Sequence, residues 1–419
     1  MKMRNTRTNI QGVISLVLCC GLLAGCATTG DAVQDEKIPF KDRAVTQEDA
    51  GVRVTAAVPD ADESKELFGI GLYKKRVQPV WIEIENTTHQ HLAFMPMSID
   101  GDYHTPIEIA SLSSSRKARE EAEQSFFENG VDLQLAPGET RSGYLFTNLD
   151  EGTKSFNVDI VSDERAWRFS FFIEVPGLAA DHYAFDRESV YSEEDFVDFT
   201  DAREFVAALE QLPCCVVDKK GEEKGDPLNL VMIGDAEDLF YAFIRSGWDE
   251  TEVVTAASGV KTVGSFFSGS AYRYSPISSL YLFGRKQDIA MQRIRDNIHE
   301  RNHFRLWLAP MTFNGEQVWI GQISRDIGVR FTKKTITTHK IDPDVDETRE
   351  FLVENLAYSQ VLAKLAYVGG TVAAPIDAPR GNLTGDPYFT DGLRVVLWIP
   401  RELTDLTDIE YEAWSDPER

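Results

Sequence analysis

Between Val52 and Val175 apolar and polar residues alternate with the period of two that a half-buried strand requires, most cleanly in Trp81-Ile82-Glu83-Ile84-Glu85. Runs of this kind fall at 52–58, 77–86, 92–99, 131–135, 143–148, 155–161 and 167–175, with turn signals such as Pro137-Gly138 between them. They predict an all-β, immunoglobulin-like sandwich domain over residues 51–176. The exception is the charged stretch 113–129, which predicts one surface helix ending before Gly130. After Pro176-Gly177, residues 177–199 are rich in Asp, Glu and Tyr and read as a linker. From residue 200 the pattern mixes periods. A helix at 201–212 stops at Pro213, and Leu228–Ile233 is a buried strand. A second helix, capped by Asp235, closes at Gly247. Strands follow at 279–283, 288–294, 303–308, 317–323 and 327–338, then a helix from 346 to 366 and a last strand at 393–399. That pattern predicts an α+β domain with a mixed or antiparallel sheet over residues 200–419, so the chain reads as two-domain.

The first residues follow another rule. Lys2, Arg4 and Arg7 precede an apolar run beginning at Val13-Ile14-Ser15-Leu16-Val17-Leu18, too short to remain in a bilayer as a spanning helix. Leu23-Ala24-Gly25-Cys26 places small residues directly before a cysteine. The whole resembles the signal peptide of bacterial lipoproteins. That resemblance implies removal of residues 1–25 and acylation of Cys26, with palmitate among the chains. Each buried methylene contributes about 0.8 kcal/mol, so several acyl chains anchor a protein without a transmembrane helix. Ala27 stands where an aspartate would resemble an inner-membrane retention signal. The expected location is therefore the outer membrane, facing the periplasm. Residues 26–50 are polar and acidic and read as a lipidated tether.

Composition narrows the partners. The chain of 419 residues carries a formal charge of −25, and loss of the leader removes three further positive charges. Such a field repels phosphate backbones, so nucleic acid is excluded as a partner. The expected partners are the membrane, through the anchor, and an envelope protein or glycan. Of five cysteines, Cys19 and Cys20 leave with the leader and Cys26 is acylated, so only Cys214 and Cys215 remain. They admit a ring between neighbours, two buried thiols or an intermolecular pair.

Several separated motifs occur in one order: Asp226-Pro227-Leu228-Asn229, Tyr274-Ser275-Pro276, Phe283-Gly284-Arg285 with Asp288, and Arg301-Asn302-His303-Phe304-Arg305-Leu306-Trp307. Ser324-Arg325-Asp326-Ile327-Gly328 and the run from Thr338 to Asp346 complete the series. From Asp226 to about Ile399 the chain resembles the LssY C-terminal domain family. In that family the domain is often a tail on membrane proteins with phosphatase-type or DedA-like segments, which this chain lacks. The resemblance implies an envelope-facing module and carries no catalytic assignment.

Two clusters carry candidate chemistry. Strand periodicity puts Arg301, His303, Arg305 and Trp307 on one face, with Phe304, Leu306 and Leu308 on the other. Two guanidinium groups, an imidazole and an indole suit an anion or a sugar, and Arg305, Arg325, Arg285 and Trp307 are the candidate ligand-binding residues. His339, Asp342, Asp344 and Asp346, with Asp326 upstream, form the second cluster. A calcium loop counted from Asp342 would need glycine at Glu347 and glutamate at Val353, so an EF-hand is excluded. A capping box of Asp344 with Glu347 accounts for part of this acidity. The enzyme alternative is an envelope hydrolase acting on phosphoesters or lipids, with His303, His339, Asp326 and Asp342 as candidate catalytic groups. No cofactor is required, and a divalent metal is the one the residues admit. Against it stands action through binding alone. Weaker signals are His89 with His91, the loops Gly259–Thr262 and Gly264–Ser270, and the aromatics Tyr272, Tyr274, Tyr281 and Trp248.

Overall fold

The computed structural model describes residues 39–112, 119, 123–124, 126–177, 190–251, 274, 277–294, 300–330 and 338–414, with only the backbone of residues 329, 330, 338 and 339. The protein is mostly β, built from several antiparallel and mixed sheets, and no barrel closes among the described residues. Residues 1–38, with the expected leader and Cys26, both glycine-bearing loops and Tyr272 lie outside the described residues, as does most of the expected helix 113–129. No described helix is long and apolar enough to cross a membrane.

In the N-terminal region β1 (Val45–Asp49), β2 (Val52–Ala57), β3 (Val77–Asn86) and β6 (Thr140–Asn148) form one four-stranded sheet. A second consists of β4 (Leu92–Met95), β5 (Gln134–Leu135), β7 (Gly152–Val161) and β8 (Ala166–Val175). Their inward residues share one core, in which Val54, Ile82 and Ile84 of the first sheet meet Phe94, Val158 and Phe171 of the second. The expected tether is shorter than its polar sequence suggests. Phe40 packs with Trp81, and β1 pairs with β2 through a turn in which Ala50 and Gly51 both have positive φ. Such a turn matches the twist of a hairpin, but alanine is an unusual residue for its first corner, so the sequence hides it. In the expected helix 113–129, Phe126 is buried against Phe68 and Phe146.

The C-terminal region is organised by one ten-stranded sheet. Its path runs β13 (Asp249–Glu250), β16 (Ile289–Ile294), β17 (Glu300–Phe313), β18 (Glu316–Arg330), β12 (Leu230–Ile233), β23 (Arg394–Trp398), β20 (Lys364–Val368) and β24 (Glu410–Glu412). β19 (Thr338–Ile341) joins β18, and β9 (Val197–Phe199) joins β17, so part of the expected linker is a strand of this sheet. The remaining short strands are β10 (Cys215–Val217), β11 (Lys224–Pro227), β14 (Tyr281–Leu282) and β15 (Arg285–Lys286), which make a small sheet, and the pair β21 (Arg380–Gly381) and β22 (Pro387–Tyr388).

Alternation decides what covers each face. Leu230, Met232, Phe304, Leu306, Leu308 and Ile323 face the helices Ala236–Arg245 and Val345–Tyr358. Gly321 belongs to this face, and a Cβ there would meet Leu306 Cδ2 at 2.5 Å, so only glycine lets the leucine lie flat on the strand. Val231, Ile233 and Val396 face the opposite way, toward Phe205 and Leu209 of the helix Ala202–Gln211.

Two elements depart from expectation. The helix expected over 346–366 ends at Tyr358, because Gln360 takes φ 63° and turns the chain into β20. The strands expected at 317–323 and 327–338 are the single β18, running from Glu316 to Arg330. The two regions meet where Phe172 stacks on Tyr241 at 4.3 Å and Glu250 accepts from the Thr153 backbone N–H at 2.9 Å.

Candidate functional site

The reverse face of β16, β17 and β18 carries charge. Antiparallel register sets Arg301 opposite Asp326, His303 opposite Ser324 and Arg305 opposite Gln322, while Gln292 of β16 lies opposite His303 on its other side. Side chains on one face of paired strands lie within contact distance, so this register alone assembles the group. It forms the floor of a cavity of about 300 Å³. Asp226 of β11 adds a second carboxylate, and Ile277, Leu280, Ile341 and Leu383 add apolar wall.

Each charged group has a defined partner. Arg301 donates from Nε to Asp326 Oδ2 at 3.0 Å and from Nη1 to Gln292 Oε1 at 2.6 Å. Arg305 donates from Nε and Nη2 to the Ser278 carbonyl and from Nη1 to Gln322 Oε1 at 3.0 Å. A guanidinium only donates, so this contact fixes the Gln322 amide, whose Nε2 donates to Ser324 Oγ at 2.9 Å. Ser324 Oγ lies 3.2 Å from His303 Nε2, and His303 Nδ1 lies 3.6 Å from Asp326 Oδ2. Burial holds Arg305 down at about 10, against attraction from Asp226, so it stays cationic at neutral pH. Burial raises the Asp226 carboxyl, partly opposed by a hydrogen bond from Asn382 Nδ2 at 3.2 Å.

Of the candidate catalytic residues, His303 and Asp326 meet here. Asp342 does not line the cavity; it accepts from the Asp344 N–H at 3.1 Å and shapes the approach to the following helix. His339 is placed by its backbone in β19 opposite Val329, and its side chain lies outside the described residues. Of the candidate ligand-binding residues only Arg305 reaches the cavity. Arg325 takes the alternate face of β18, pairing with Glu347 at 2.6 Å. That contact also corrects the expected capping box, since Asp344 accepts from the Glu347 N–H while the Glu347 carboxylate is engaged by Arg325. Arg285 is held by Asp288, the Tyr191 hydroxyl and the Leu308 carbonyl. Trp307 is fully buried among Val216, Leu228, Leu282 and Ile320 and offers no stacking surface. His89 and His91 are exposed turn residues. Among the described residues no three His, Cys, Asp or Glu side chains are placed to hold a metal ion.

Ser324, Gln322 and Asp226 are site residues that periodicity on one strand does not reveal. Their signal is the second alternation, Gln322-x-Ser324-x-Asp326, read against Arg301-x-His303-x-Arg305 in antiparallel register. The cavity thus gathers residues from the Asp226, Arg301, Ser324 and Ile341 stretches, nearly a hundred residues apart at the extremes of its first three.

Residues 208–393 match the family model of the LssY C-terminus. No curated protein matches the chain. The LssY C-terminus match spans β11, β17, β18 and β19, and with them the charged floor of the cavity. Cys214 and Cys215, within the same match, are joined as a disulfide between neighbours. Beside them Arg394, fully buried, donates to the carbonyls of Leu228, Leu209, Leu212, Pro213 and Gly370 and ties this turn to the sheet.

Proposed function

We propose that the protein is a lipid-anchored component of the bacterial cell envelope, held at the outer membrane and facing the periplasm, that binds a small amphiphile with a carboxyl head and a short apolar chain. The observation that carries the ligand class is the cavity of about 300 Å³, with Arg301 and Arg305 on its floor and Ile277, Leu280, Ile341 and Leu383 on its walls. A volume at the lower end of ligand-site sizes suits a short chain. Two guanidinium groups side by side on the floor offer the paired N–H donors that suit one carboxylate. The anchor rests on the Leu23–Cys26 pattern. In this reading residues 51–176 are an immunoglobulin-like domain and residues 200–419 an α+β domain, supported by the shared core of the first two sheets and by the helices flanking the large one. Larger partners are an envelope protein or glycan, recovered by pull-down with the full-length protein.

Calorimetric titration with butyrate and hexanoate tests the ligand class. Saturable binding is expected, weakened at least about tenfold in Arg305→Ala, the loss typical of a charge-assisted hydrogen bond. A folded protein that binds neither acid contradicts the proposal. For the anchor, Cys26→Ser is expected to abolish palmitate labelling, and unchanged labelling contradicts the lipoprotein reading.

A further inference from the structure

We infer that Ser324 is a nucleophile for short-chain carboxylic esters, with His303 as its base and Asp326 as the group that orients the imidazole. The inference rests on the reading that the cavity admits a short acyl chain, and it adds a reaction to that reading.

The placement of three side chains carries the argument. Asp326, fixed by Arg301 Nε at 3.0 Å, presents a carboxylate oxygen toward His303 Nδ1. With the ring proton on Nδ1, the side that faces Asp326, the Nε2 lone pair meets Ser324 Oγ at 3.2 Å. Gln322 donates to the same Oγ and occupies a lone pair, which directs the serine proton toward the imidazole. Nucleophile, base and orienting carboxylate therefore stand in sequence on adjacent strands, the order of groups that activates serine on unrelated folds. The separation of 3.6 Å at the Asp326 end exceeds a hydrogen bond, and the positive charge that develops on the ring draws the two together. All three residues are almost fully buried, so the reacting atoms sit where water competes weakly and charge acts strongly.

The reaction balances with water as the only co-reactant. Ser324 gives its proton to His303 Nε2 as Oγ attacks the ester carbonyl carbon. The tetrahedral oxyanion forms beside the cationic Arg301 and Arg305. Its collapse breaks the bond to the alcohol oxygen, which takes the proton from the imidazolium and leaves as the free alcohol. Water then repeats the attack on the Ser324 ester with the same proton transfer, releasing the carboxylic acid and restoring the serine.

The test uses the full-length protein in detergent, an alkyl fluorophosphonate and p-nitrophenyl butyrate, with butyrate binding followed in parallel by thermal shift. A covalent adduct mapped to Ser324 by mass spectrometry is expected. Ester hydrolysis should fall at least about 100-fold in Ser324→Ala and in His303→Gln, the scale of a lost nucleophile or base. Asp326→Asn, which keeps the shape, should displace the acid limb of the pH profile, a readout that a merely structural role would not move. Circular dichroism confirms the fold of each variant. No adduct on a folded protein that still binds butyrate overturns the nucleophile and leaves the binding reading intact. Absence of both overturns both. Hydrolysis that survives in Ser324→Ala also overturns the assignment.

Discussion

Two faces of the same three strands make opposite choices. On one, Phe304, Leu306, Leu308 and Ile323 pack against helices, with Phe304 only 4.4 Å from the ring of Phe243 and 4.8 Å from that of Trp248. On the other, one residue along, Arg301, His303, Arg305, Ser324 and Asp326 are nearly as deeply buried. Hydrocarbon burial stabilises a sheet without further conditions, whereas buried charge costs desolvation that pairing at best offsets. The apolar face therefore stabilises the fold outright, whereas the polar face depends on its pairing, and it is the face on which binding and reaction are proposed.

The comparison can be broken most forcefully by substitutions within each face. Phe304→Ala removes the centre of the apolar cluster and is expected to cost about 3–5 kcal/mol in urea unfolding, the range for a buried aromatic. Asp326→Ala strands the buried Arg301 guanidinium and should cost a similar amount, about 3–5 kcal/mol, although it deletes far less surface. A cost below about 1 kcal/mol for Asp326→Ala would show that the polar face is solvated and the contrast between faces is false.

The next effect depends on pH. Burial raises the folded-state carboxyl of Asp226. A carboxyl raised in the folded chain favours folding below its unfolded value of about 3.9, and that contribution is lost as pH rises through the folded value. Asp226→Asn should therefore leave the melting temperature unchanged near pH 4 and raise it at pH 7. Equal melting temperatures across that interval would remove the strain assigned to this carboxylate. The smallest effect belongs to Arg325, on the strand but off the floor. Its partner Glu347 is 54% exposed, but Arg325 also donates to Oδ1 of the buried Asn302 at 2.9 Å, so Arg325→Ala should cost about 1–2 kcal/mol in urea unfolding and leave butyrate affinity unaltered.

How far the sequence reveals this architecture depends on the range of the interaction. Alternation within Trp81–Glu85 and within Arg301–Trp307 is local, so those strands and their two faces are legible from the order of residues alone. Which polar residues meet is set by the pairing of β17 with β18 and by the arrival of β11, and neither is local. His303 and Asp326 are recognisable as chemistry-bearing types; Ser324 is not, because an isolated serine in a strand has no signature until its cross-strand neighbour is known. Arg285, Arg325 and Trp307 mislead for the complementary reason. They are suited to ligands by type, yet Asp288, Glu347 and an apolar pocket already engage them. The helix expected to reach residue 366 fails at Gln360, where one left-handed residue overrides an apolar pattern that continues through Val361 and Leu362 into a strand.

The double substitution Arg301→Met/Asp326→Leu tests the contrast between the faces most directly. Exchanging a buried ion pair for apolar residues of similar volume is often neutral or stabilising. Urea unfolding of the double variant is therefore expected to stay within about 1–2 kcal/mol of the parent, while calorimetric titration shows butyrate binding abolished. A stable variant that binds butyrate with parental affinity, or a variant that loses as much stability as Asp326→Ala alone, would contradict the account.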